Sequence, residues 1–251
     1  MKLVINNAYK KYYDKIKEIT FDFDSLGTLI YDGRNQIRNI ELDDIILNIK
    51  SFKKPNVINK LIYKYFRKSK AARSYEFANK LISLDLNTPI NIAYIETGKL
   101  FLSKSYYICE YFENDFSMLE VLEERVADRE NVIRQFANFT YSLHKKGVLH
   151  LDYSPGNILI KKLGDNYIFS LVDINRMKFL DVSLEMGIRN FSKLWNSEDM
   201  LKFISEEYAK LNNVSYEYVY DLLKGYDSKH KDSVEKRKKR KKIIKSILHK
   251  K

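Results

Sequence analysis

The sequence contains a single cysteine, Cys109, among its 251 residues. One cysteine cannot form an intramolecular disulfide and has no companion at metal-ligand spacing, which excludes disulfide and cysteine–metal chemistry as the basis of function. Long apolar runs are also missing. None approaches the roughly 20 residues that cross a bilayer, and the first residues lack the apolar core of a signal peptide. We therefore expect a cytoplasmic protein.

Internal repeats are absent as well, and the composition is not that of a disordered chain. Hydrophobic residues make up 45%, aromatic residues 14% and charged residues 31% of the sequence. This balance is typical of a soluble globular protein. The length suffices for one two-lobed domain or two small ones.

The formal charge of +12 is unevenly distributed along the chain. Residues 229–251 hold 12 Lys and Arg against Asp232 and Glu235, so this tail carries +10 of the total. The remaining residues are close to neutral, and the tail lacks an aromatic platform on which bases could stack. Nucleic acid is therefore not an expected partner.

Strand-like segments dominate the N-terminal half. Residues 19–52 indicate three strands with a turn at Gly33–Asn35, because they are rich in β-branched and aromatic residues. Residues 56–84 contain no Gly or Pro and repeat apolar residues at helical spacing, which predicts mainly helix. Two further strand-like runs, 91–98 and 99–112, complete about five strands around one principal helix.

Helical patterns dominate beyond a hinge predicted at Asn114–Asp115. Residues 130–146 place apolar side chains on one helical face, and Gly147 is a typical helix end. A loop spans 148–160, a strand is predicted at 166–179, and the chain is expected to be helical from about Ser183.

The loop at 150–157 supplies the residues that phosphoryl transfer requires, namely a base at the acceptor and ligands for magnesium. Asp152 is the candidate base, and His150 is expected to brace the loop. Asn157 would reach Mg²⁺ from the same loop, and Asp173, at the end of the apolar run FSLVD, would be the charged metal ligand.

This loop, HLDYSPGNIL, is similar to the HxDxxxxN catalytic loop of protein kinases and to the HGDxxPGNIL loop of aminoglycoside and choline phosphotransferases. The resemblance implies a two-lobed, α+β protein-kinase-like fold with ATP as phosphate donor. The small antiparallel N-terminal lobe with one principal helix would span 1–112 and bind nucleotide. The mostly helical catalytic lobe would span 113–228, followed by a basic tail at 229–251.

The same resemblance suggests the nucleotide contacts. Lys50, on the strand IILNIKSF, would contact the α- and β-phosphates, although Lys60 and Lys64 compete for this role. Glu76 on the following helix would be its ion-pair partner. Lys50 could instead be a solvated lysine at the edge of a sheet, and Glu76 could be an ordinary surface glutamate.

SYYICEYF resembles the strand that leads into a kinase hinge, with the backbone of Glu110 and Phe112 facing adenine. The loop that covers the phosphates has no GxGxxG motif. Only Asp32-Gly33-Arg34-Asn35 lies between suitable strands. Gly33 and Arg34 are the candidate nucleotide contacts in this turn, with Arg34 reaching a phosphate bidentately, although a turn with a single glycine is usually an ordinary hairpin.

Over about 190 residues the order of segments resembles the lipopolysaccharide kinases of the Kdo kinase and WaaP family. The segments are GRN, IKSFKKPN, SKAARSYEFA, NTPINIAYIE, SYYICEYF, HLDYSPGNILI and VDINRMKF. The resemblance implies an ATP- and Mg²⁺-dependent kinase whose acceptor is a lipopolysaccharide inner-core sugar, Kdo or heptose. Two departures are Asn175 in place of the glycine of DFG and the glycine-poor covering loop.

Two alternatives remain at this stage, a Ser/Thr/Tyr protein kinase and a non-catalytic kinase-fold module at the membrane. The interval of about 14 residues between Asp173 and the next helical stretch disfavours a protein acceptor, because it leaves little room for a peptide-docking segment. The tail is expected either to contact the anionic inner face of the inner membrane or to be solvated. No obligate protein partner is expected.

Overall fold

The computed structural model describes residues 1–53, 68–98 and 103–248, with side chains described as far as Lys242. The chain forms two compact units. Unit 1 comprises Met1–Glu113 and Ser170–Asn175. Unit 2 comprises Asn114–Phe169 and the described residues from Arg176 onward.

Unit 1 is built on a six-stranded antiparallel sheet with the order β1-β5-β6-β4-β3-β2. The strands are β1 Lys2–Ile5, β2 Thr28–Asp32, β3 Asn35–Leu42, β4 Ile45–Phe52, β5 Asn91–Glu96 and β6 Ser105–Glu110. A 3-10 helix, Asn7–Tyr12, leads into α1, Tyr13–Asp22, and α2 is Lys70–Ser83.

Both faces of this sheet are covered, which follows from the alternation of side chains along each strand. Leu47 and Ile49 of β4 belong to a buried cluster with Ile16 of α1. Phe52 belongs to the cluster that contains Ala71 and Ala72 of α2. Lys50 is two residues from Phe52 and so shares the α2 face.

The start of unit 1 differs from the prediction. Residues 19–22 were predicted as strand but form the end of α1, and β2 begins only at Thr28. Ile16, Ile19 and Phe23 are buried at helical spacing, whereas Phe21 is 72% exposed. The alternating pattern ITFDF therefore concealed an amphipathic helix. Strand β1 was not predicted, and it raises the expected five strands to six.

The principal predicted helix, 56–84, is confirmed where it falls on the described part of the chain. Ser69 caps α2 by accepting a hydrogen bond from the Ala72 N–H at 3.0 Å, as N-cap serines typically do. Residues 54–67, which include the competing Lys60 and Lys64, lie outside the described residues, as do 99–102 of the predicted strand.

Unit 2 contains most of the helices. These are α3 Met118–Leu122, α4 Arg129–Lys145, α5 Leu184–Phe191, α6 Glu198–Asn212 and α7 Tyr216–Leu248. Strands β9, Ile158–Leu163, and β10, Asn166–Leu171, form a small sheet with β7, Phe116–Ser117. Strand β8, Val148–His150, pairs with β11, Met177–Phe179.

An aromatic core holds unit 2 together around Phe136 of α4. Its ring contacts Tyr153, Phe169 and Phe191, with ring centroids 5.7, 5.6 and 6.1 Å away. Aromatic pairs at such separations add to the stabilisation from burial. Helix α4 ends as predicted before Gly147, whose φ of +72° favours glycine.

Helix α7 runs without interruption through the boundary proposed at 228/229. Every described side chain from Glu235 to Lys242 is exposed, and Lys238 Nζ lies 5.4 Å from the centroid of the Trp195 ring. The side chains of the apolar residues beyond it, from Ile243, lie outside the described set. No helix within the described ranges is long and apolar enough to span a membrane.

Candidate active site

In unit 2, the loop after β8 places Asp152 beside a buried histidine. His150 has no exposed surface. Its Nδ1 accepts a hydrogen bond from the backbone N–H of Asp152 at 3.0 Å. A histidine in this position braces the loop, as expected from the sequence, and its bond uses the backbone of Asp152 and not the carboxylate.

Asn157 is oriented by the same loop. It ends a 3-10 helix, Pro155–Asn157, and its side-chain Nδ2 donates to the backbone carbonyl of Asp152 at 2.8 Å. Because the NH₂ group is used in this bond, Oδ1 is left as the acceptor end of the amide. An amide oxygen fixed in this way is a suitable ligand for a hard cation.

The loop rests on a buried polar network. Asn190 of α5 donates from Nδ2 to the His150 carbonyl at 3.0 Å, and its Oδ1 lies 3.2 Å from Nε2 of His144. The Nδ1 of His144 lies 2.9 Å from the Tyr208 hydroxyl. Burial lowers the pKa of His144 to about 4, so the ring is neutral at pH 7. A neutral ring accepts from Tyr208 and donates to Asn190.

Tyr153 anchors the middle of the loop. Its side chain is fully buried, and its hydroxyl shares a 2.7 Å hydrogen bond with Thr140 of α4. Burial raises its pKa well above the ordinary tyrosine value. Both neighbours of Asp152 in the sequence are thus held by the structure, Tyr153 through this bond and Leu151 through its backbone.

Two cations flank the candidate base. Arg176 Nη1 is 3.3 Å from Asp152 Oδ2, and the Asp152 side chain is 43% exposed. Lys193 Nζ donates to the Leu151 carbonyl at 2.5 Å. Burial lowers the pKa of Lys193, while the charge of Asp152 partly opposes this shift.

In unit 1, Lys50 and Asp173 form an ion pair. Lys50 Nζ lies 2.6 Å from Asp173 Oδ1, and the two side chains are 14% and 29% exposed. Asp173 has a φ of +53°, which is uncommon for a residue other than glycine and occurs often at functional sites. Asn175 donates from Nδ2 to Asp173 Oδ1 at 2.5 Å, so the residue at the glycine position of DFG helps to hold the carboxylate.

The predicted pair of Lys50 with Glu76 is wrong in this structure. Lys50 pairs with Asp173, whereas Glu76 Oε1 accepts from Lys68 Nζ at 2.6 Å. Glu76 is 41% exposed. Lys68 precedes Glu76 by eight residues and pairs with it at the surface. The charge of Glu76 is therefore compensated without a buried partner.

The predicted hinge is only partly available to a ligand. The N–H of Glu110 donates to the Ile90 carbonyl at 2.9 Å, so this N–H is not free to contact adenine. Its carboxylate accepts from the Tyr9 hydroxyl at 2.5 Å, which ties the end of β6 to the N-terminal 3-10 helix. Phe112 lies two residues beyond β6 and is half-buried.

Gly33 and Arg34 form the turn between β2 and β3, as predicted. Arg34 is exposed and, with Lys53 and Lys104, borders a depression of about 340 Å³ in unit 1. A contact between Arg34 and phosphate therefore stays a prediction.

Sequence reasoning missed several residues near the site. Asn48 of β4 donates from Nδ2 to Asn39 Oδ1 at 2.7 Å, two residues from Lys50 on the same face. Arg176 follows Asp173 by three residues, and the motif VDINR offered a signal for it. Lys193 and Asn190 come about 40 residues after the loop that they contact, so no local pattern could have identified them.

Metal binding was assessed from the donors present. Among the described residues no group of three or more His, Cys, Asp and Glu side chains could hold a metal ion. A site completed by nucleotide phosphates needs fewer protein ligands. Asn157 Oδ1 and the Asp173 carboxylate have the donor chemistry for that role.

Comparisons with known proteins place these features in a family. The model of the lipopolysaccharide kinase (Kdo/WaaP) family matches residues 52–214, more than half of the chain. The chain is also similar to a solved structure of WaaP in complex with acyl carrier protein, at 15% identity and a TM-score of 0.62. The match covers 94% of this chain and 99% of that one. At this identity the likeness establishes the fold, and it confirms the predicted protein-kinase-like class.

Proposed function

Because the chain belongs to the lipopolysaccharide kinase (Kdo/WaaP) family and is therefore a phosphotransferase, we propose that it transfers the γ-phosphate of ATP to an inner-core sugar hydroxyl of lipopolysaccharide. The sugar would be Kdo or heptose. The observation that carries the proposed reaction is the hydrogen bond from Asn157 to the Asp152 carbonyl, which fixes a candidate base and a candidate metal ligand in one loop. The acceptor class rests on the family.

The proposed reaction divides its roles among few residues. Asp152 accepts the proton of the acceptor hydroxyl as that oxygen bonds to the γ-phosphorus. The bond from this phosphorus to the β–γ bridging oxygen breaks, and ADP leaves. Lys50 would hold the α- and β-phosphates as a point charge. Asn157 in unit 2 and Asp173 in unit 1 are each candidate ligands for Mg²⁺, which would supply charge neutralisation at the phosphates.

Transfer of label from γ-labelled ATP to Kdo-lipid A and to heptosylated acceptors, in the presence of Mg²⁺, tests the proposal. We expect labelled glycolipid with the wild-type chain and essentially none with Asp152→Asn. Label on protein instead of glycolipid would favour a protein kinase. Label on neither would contradict the proposed acceptor.

Thermal shift separates an enzyme from a non-catalytic module. We expect ATP with Mg²⁺ to raise the melting temperature and Asp173→Ala to abolish the increase, because the variant lacks the carboxylate that would hold the metal and the partner of Lys50. The reciprocal control is Asp199→Ala, which removes a carboxylate from α6 that pairs with Arg129. A melting temperature that is indifferent to nucleotide would favour a binding module.

A protein acceptor is disfavoured by the short segment after Asp173. It consists of a 3-10 helix at Ile174–Arg176, strand β11 and four residues before α5 begins at Leu184. A sugar needs no such docking segment. We further propose that the enzyme works at the cytoplasmic face of the inner membrane, where exposed cations of α7 would contact anionic lipid.

No obligate protein partner was expected from the sequence, but WaaP was solved with acyl carrier protein. For this chain, the exposed cations of α7 at 236–242 offer a surface to an acidic protein. Co-elution with purified acyl carrier protein, lost when these residues are changed to Gln, would extend the WaaP observation to this enzyme. Failure to co-elute would leave the kinase without this partner.

A further inference from the structure

The surroundings of Asp152 in unit 2 carry more positive charge than the carboxylate requires. Arg176 contacts Asp152 directly at 3.3 Å. Lys193 interacts electrostatically with Asp152, with Arg176 and with Arg189 of α5. Arg189 and Glu185 of the same helix both act on Tyr226, which leaves Arg176 and Lys193 as two cations beside the one carboxylate of Asp152. An excess positive charge attracts anions from solution.

Lys193 is costly to keep in this position. It is half-buried, and burial is the largest influence on its pKa, which is lowered. Its contact with the Leu151 carbonyl uses one of the three N–H donors of the ammonium group. The ammonium group has two further N–H donors that can bind an anionic ligand.

We propose that Lys193 and Arg176 form a subsite that binds an anionic group of the acceptor, a carboxylate or a phosphate ester, next to the hydroxyl that is phosphorylated. This inference rests on the proposed function, since it concerns the acceptor of the same reaction. Arg176 has five N–H donors in a planar fork, which allows it to hold Asp152 and an acceptor anion together. Lys193, held at the Leu151 carbonyl, supplies a compact point charge.

The subsite would position the acceptor without touching the reacting atoms. An anion held by these two cations fixes the sugar relative to Asp152, so that the correct hydroxyl faces the base. The contacts would be equally present in the bound acceptor and in the transition state. Their loss therefore raises the KM for the acceptor more than it lowers kcat.

Kinetics of Lys193→Met and Arg176→Met against the matched control Lys210→Met test the subsite. Lys210 is an exposed lysine on α6 outside the site. We expect each site variant to raise the acceptor KM roughly 10-fold or more, as loss of a charge-assisted hydrogen bond implies. The KM for ATP should stay within about twofold of the wild type. Lys193→Arg keeps the charge and should recover part of the loss.

Modified acceptors identify the anion. Methyl esterification removes a carboxylate charge, and phosphatase treatment removes phosphate esters. One of these two treatments should raise the acceptor KM of the wild type. The same treatment should have little further effect on the KM of Lys193→Met, because the lysine and the acceptor anion are the two partners of one contact. The subsite is excluded if both changes affect the wild type and Lys193→Met equally, or if the site variants match Lys210→Met.

Chemical labelling of lysines keeps this test apart from the proposed function. Inorganic phosphate should slow acylation of Lys193 severalfold relative to Lys210, as followed by peptide mass spectrometry at constant ionic strength set with chloride. This readout needs no turnover. If phosphate protects Lys193 but no glycolipid is labelled, the anion site is supported and the proposed acceptor is wrong. Equal protection of both lysines rules out the site whatever the activity.

Discussion

The two units hold their candidate catalytic groups by different means. In unit 1 Lys50 and Asp173 form an ion pair between partly exposed side chains, and Asn175 adds one hydrogen bond to the Asp173 carboxylate. In unit 2 the backbone of Asp152 is held by His150 and Asn157, and the His150 carbonyl is fixed in turn by Asn190. The candidate groups of unit 1 thus depend on charge, and those of unit 2 on a buried hydrogen-bond network.

This difference matters for the chemistry that each side performs. Lys50 and Asp173 would exchange their mutual contact for phosphate and metal when nucleotide binds, so an exchangeable ion pair suits them. A proton acceptor must already face its hydroxyl, and preorganised groups avoid a reorganisation cost during reaction. Buried polar networks are also expensive to break, because each orphaned group stays desolvated. Substitutions in the two units should therefore differ in effect, from the largest at Asp152 to the smallest at Glu76.

The largest effect is expected at Asp152. Substitution Asp152→Asn removes the proposed base without removing volume, and general bases contribute about 10² to 10⁴ in rate. We expect kcat to fall by about 10³ while nucleotide affinity, measured by thermal shift, stays within about twofold. Unchanged turnover would refute the role of Asp152. If Asp152→Asn also lost nucleotide binding, Asp152 would have a role in binding nucleotide as well as in catalysis.

A pH effect on stability should come from unit 2. All four histidines of the chain follow residue 143, and His144 has its pKa lowered to about 4 by burial. The unfolded chain, with an ordinary histidine pKa near 6.5, binds a proton that the folded chain rejects. Stability is therefore retained above about pH 6.5 and lost as pH falls towards 4, by about 3 kcal/mol in total.

Urea unfolding between pH 4 and 7.5 measures this effect. Substitution His144→Gln removes the titrating group and should flatten this part of the pH profile, although it lowers stability at pH 7 through loss of the Tyr208 contact. His230→Gln is the comparison, because burial lowers the pKa of His230 on α7 as well and this variant should flatten the profile less than His144→Gln does. A wild-type slope that survives in His144→Gln would assign the effect to other groups.

A smaller effect is expected at the ion pair of unit 1. Lys50→Met keeps the aliphatic length but removes the charge that would contact the phosphates. We expect ATP affinity to fall roughly 10- to 30-fold, which corresponds to about 1.5–2 kcal/mol. Added salt should weaken ATP binding by the wild type more than by the variant. Equal affinity of the two proteins would show that another cation contacts the phosphates.

The sequence predicted the parts of the site that lie in one continuous segment. Asp152 and Asn157 are five residues apart, and their loop geometry follows from His150, Pro155 and local hydrogen bonds. The face of α4 that packs under the loop was also readable from the spacing of its apolar residues. Local patterns succeed where the determining contacts are local.

Contacts between distant segments could not be predicted in this way. Lys193 reaches Leu151 across 42 residues, and nothing near Lys193 in the sequence marks it as different from an ordinary surface lysine. The pairing of Lys50 with Asp173 instead of Glu76 is similar, since a lysine-rich chain offers many charge pairs and burial decides among them. For residues 19–22, the apolar pattern fitted both the strand period of two residues and the helix period of 3.6. Packing of Ile19 and Phe23 on the sheet selected the helix.

The smallest effect is expected at Glu76, and it is the most informative about unit 1. Exposed ion pairs such as Lys68–Glu76 contribute about 0–1 kcal/mol, so Glu76→Gln should leave stability and ATP affinity nearly unchanged in urea unfolding and nucleotide titration. Lys68→Gln is the matched control, since it removes the other half of the same pair. If Glu76→Gln weakens ATP binding as much as Lys50→Met while Lys68→Gln does not, then Lys50 exchanges Asp173 for Glu76 when nucleotide binds. Unit 1 would then contain a switchable ion pair, whereas small effects of both variants would mean that Lys50 leaves Asp173 only for the phosphates.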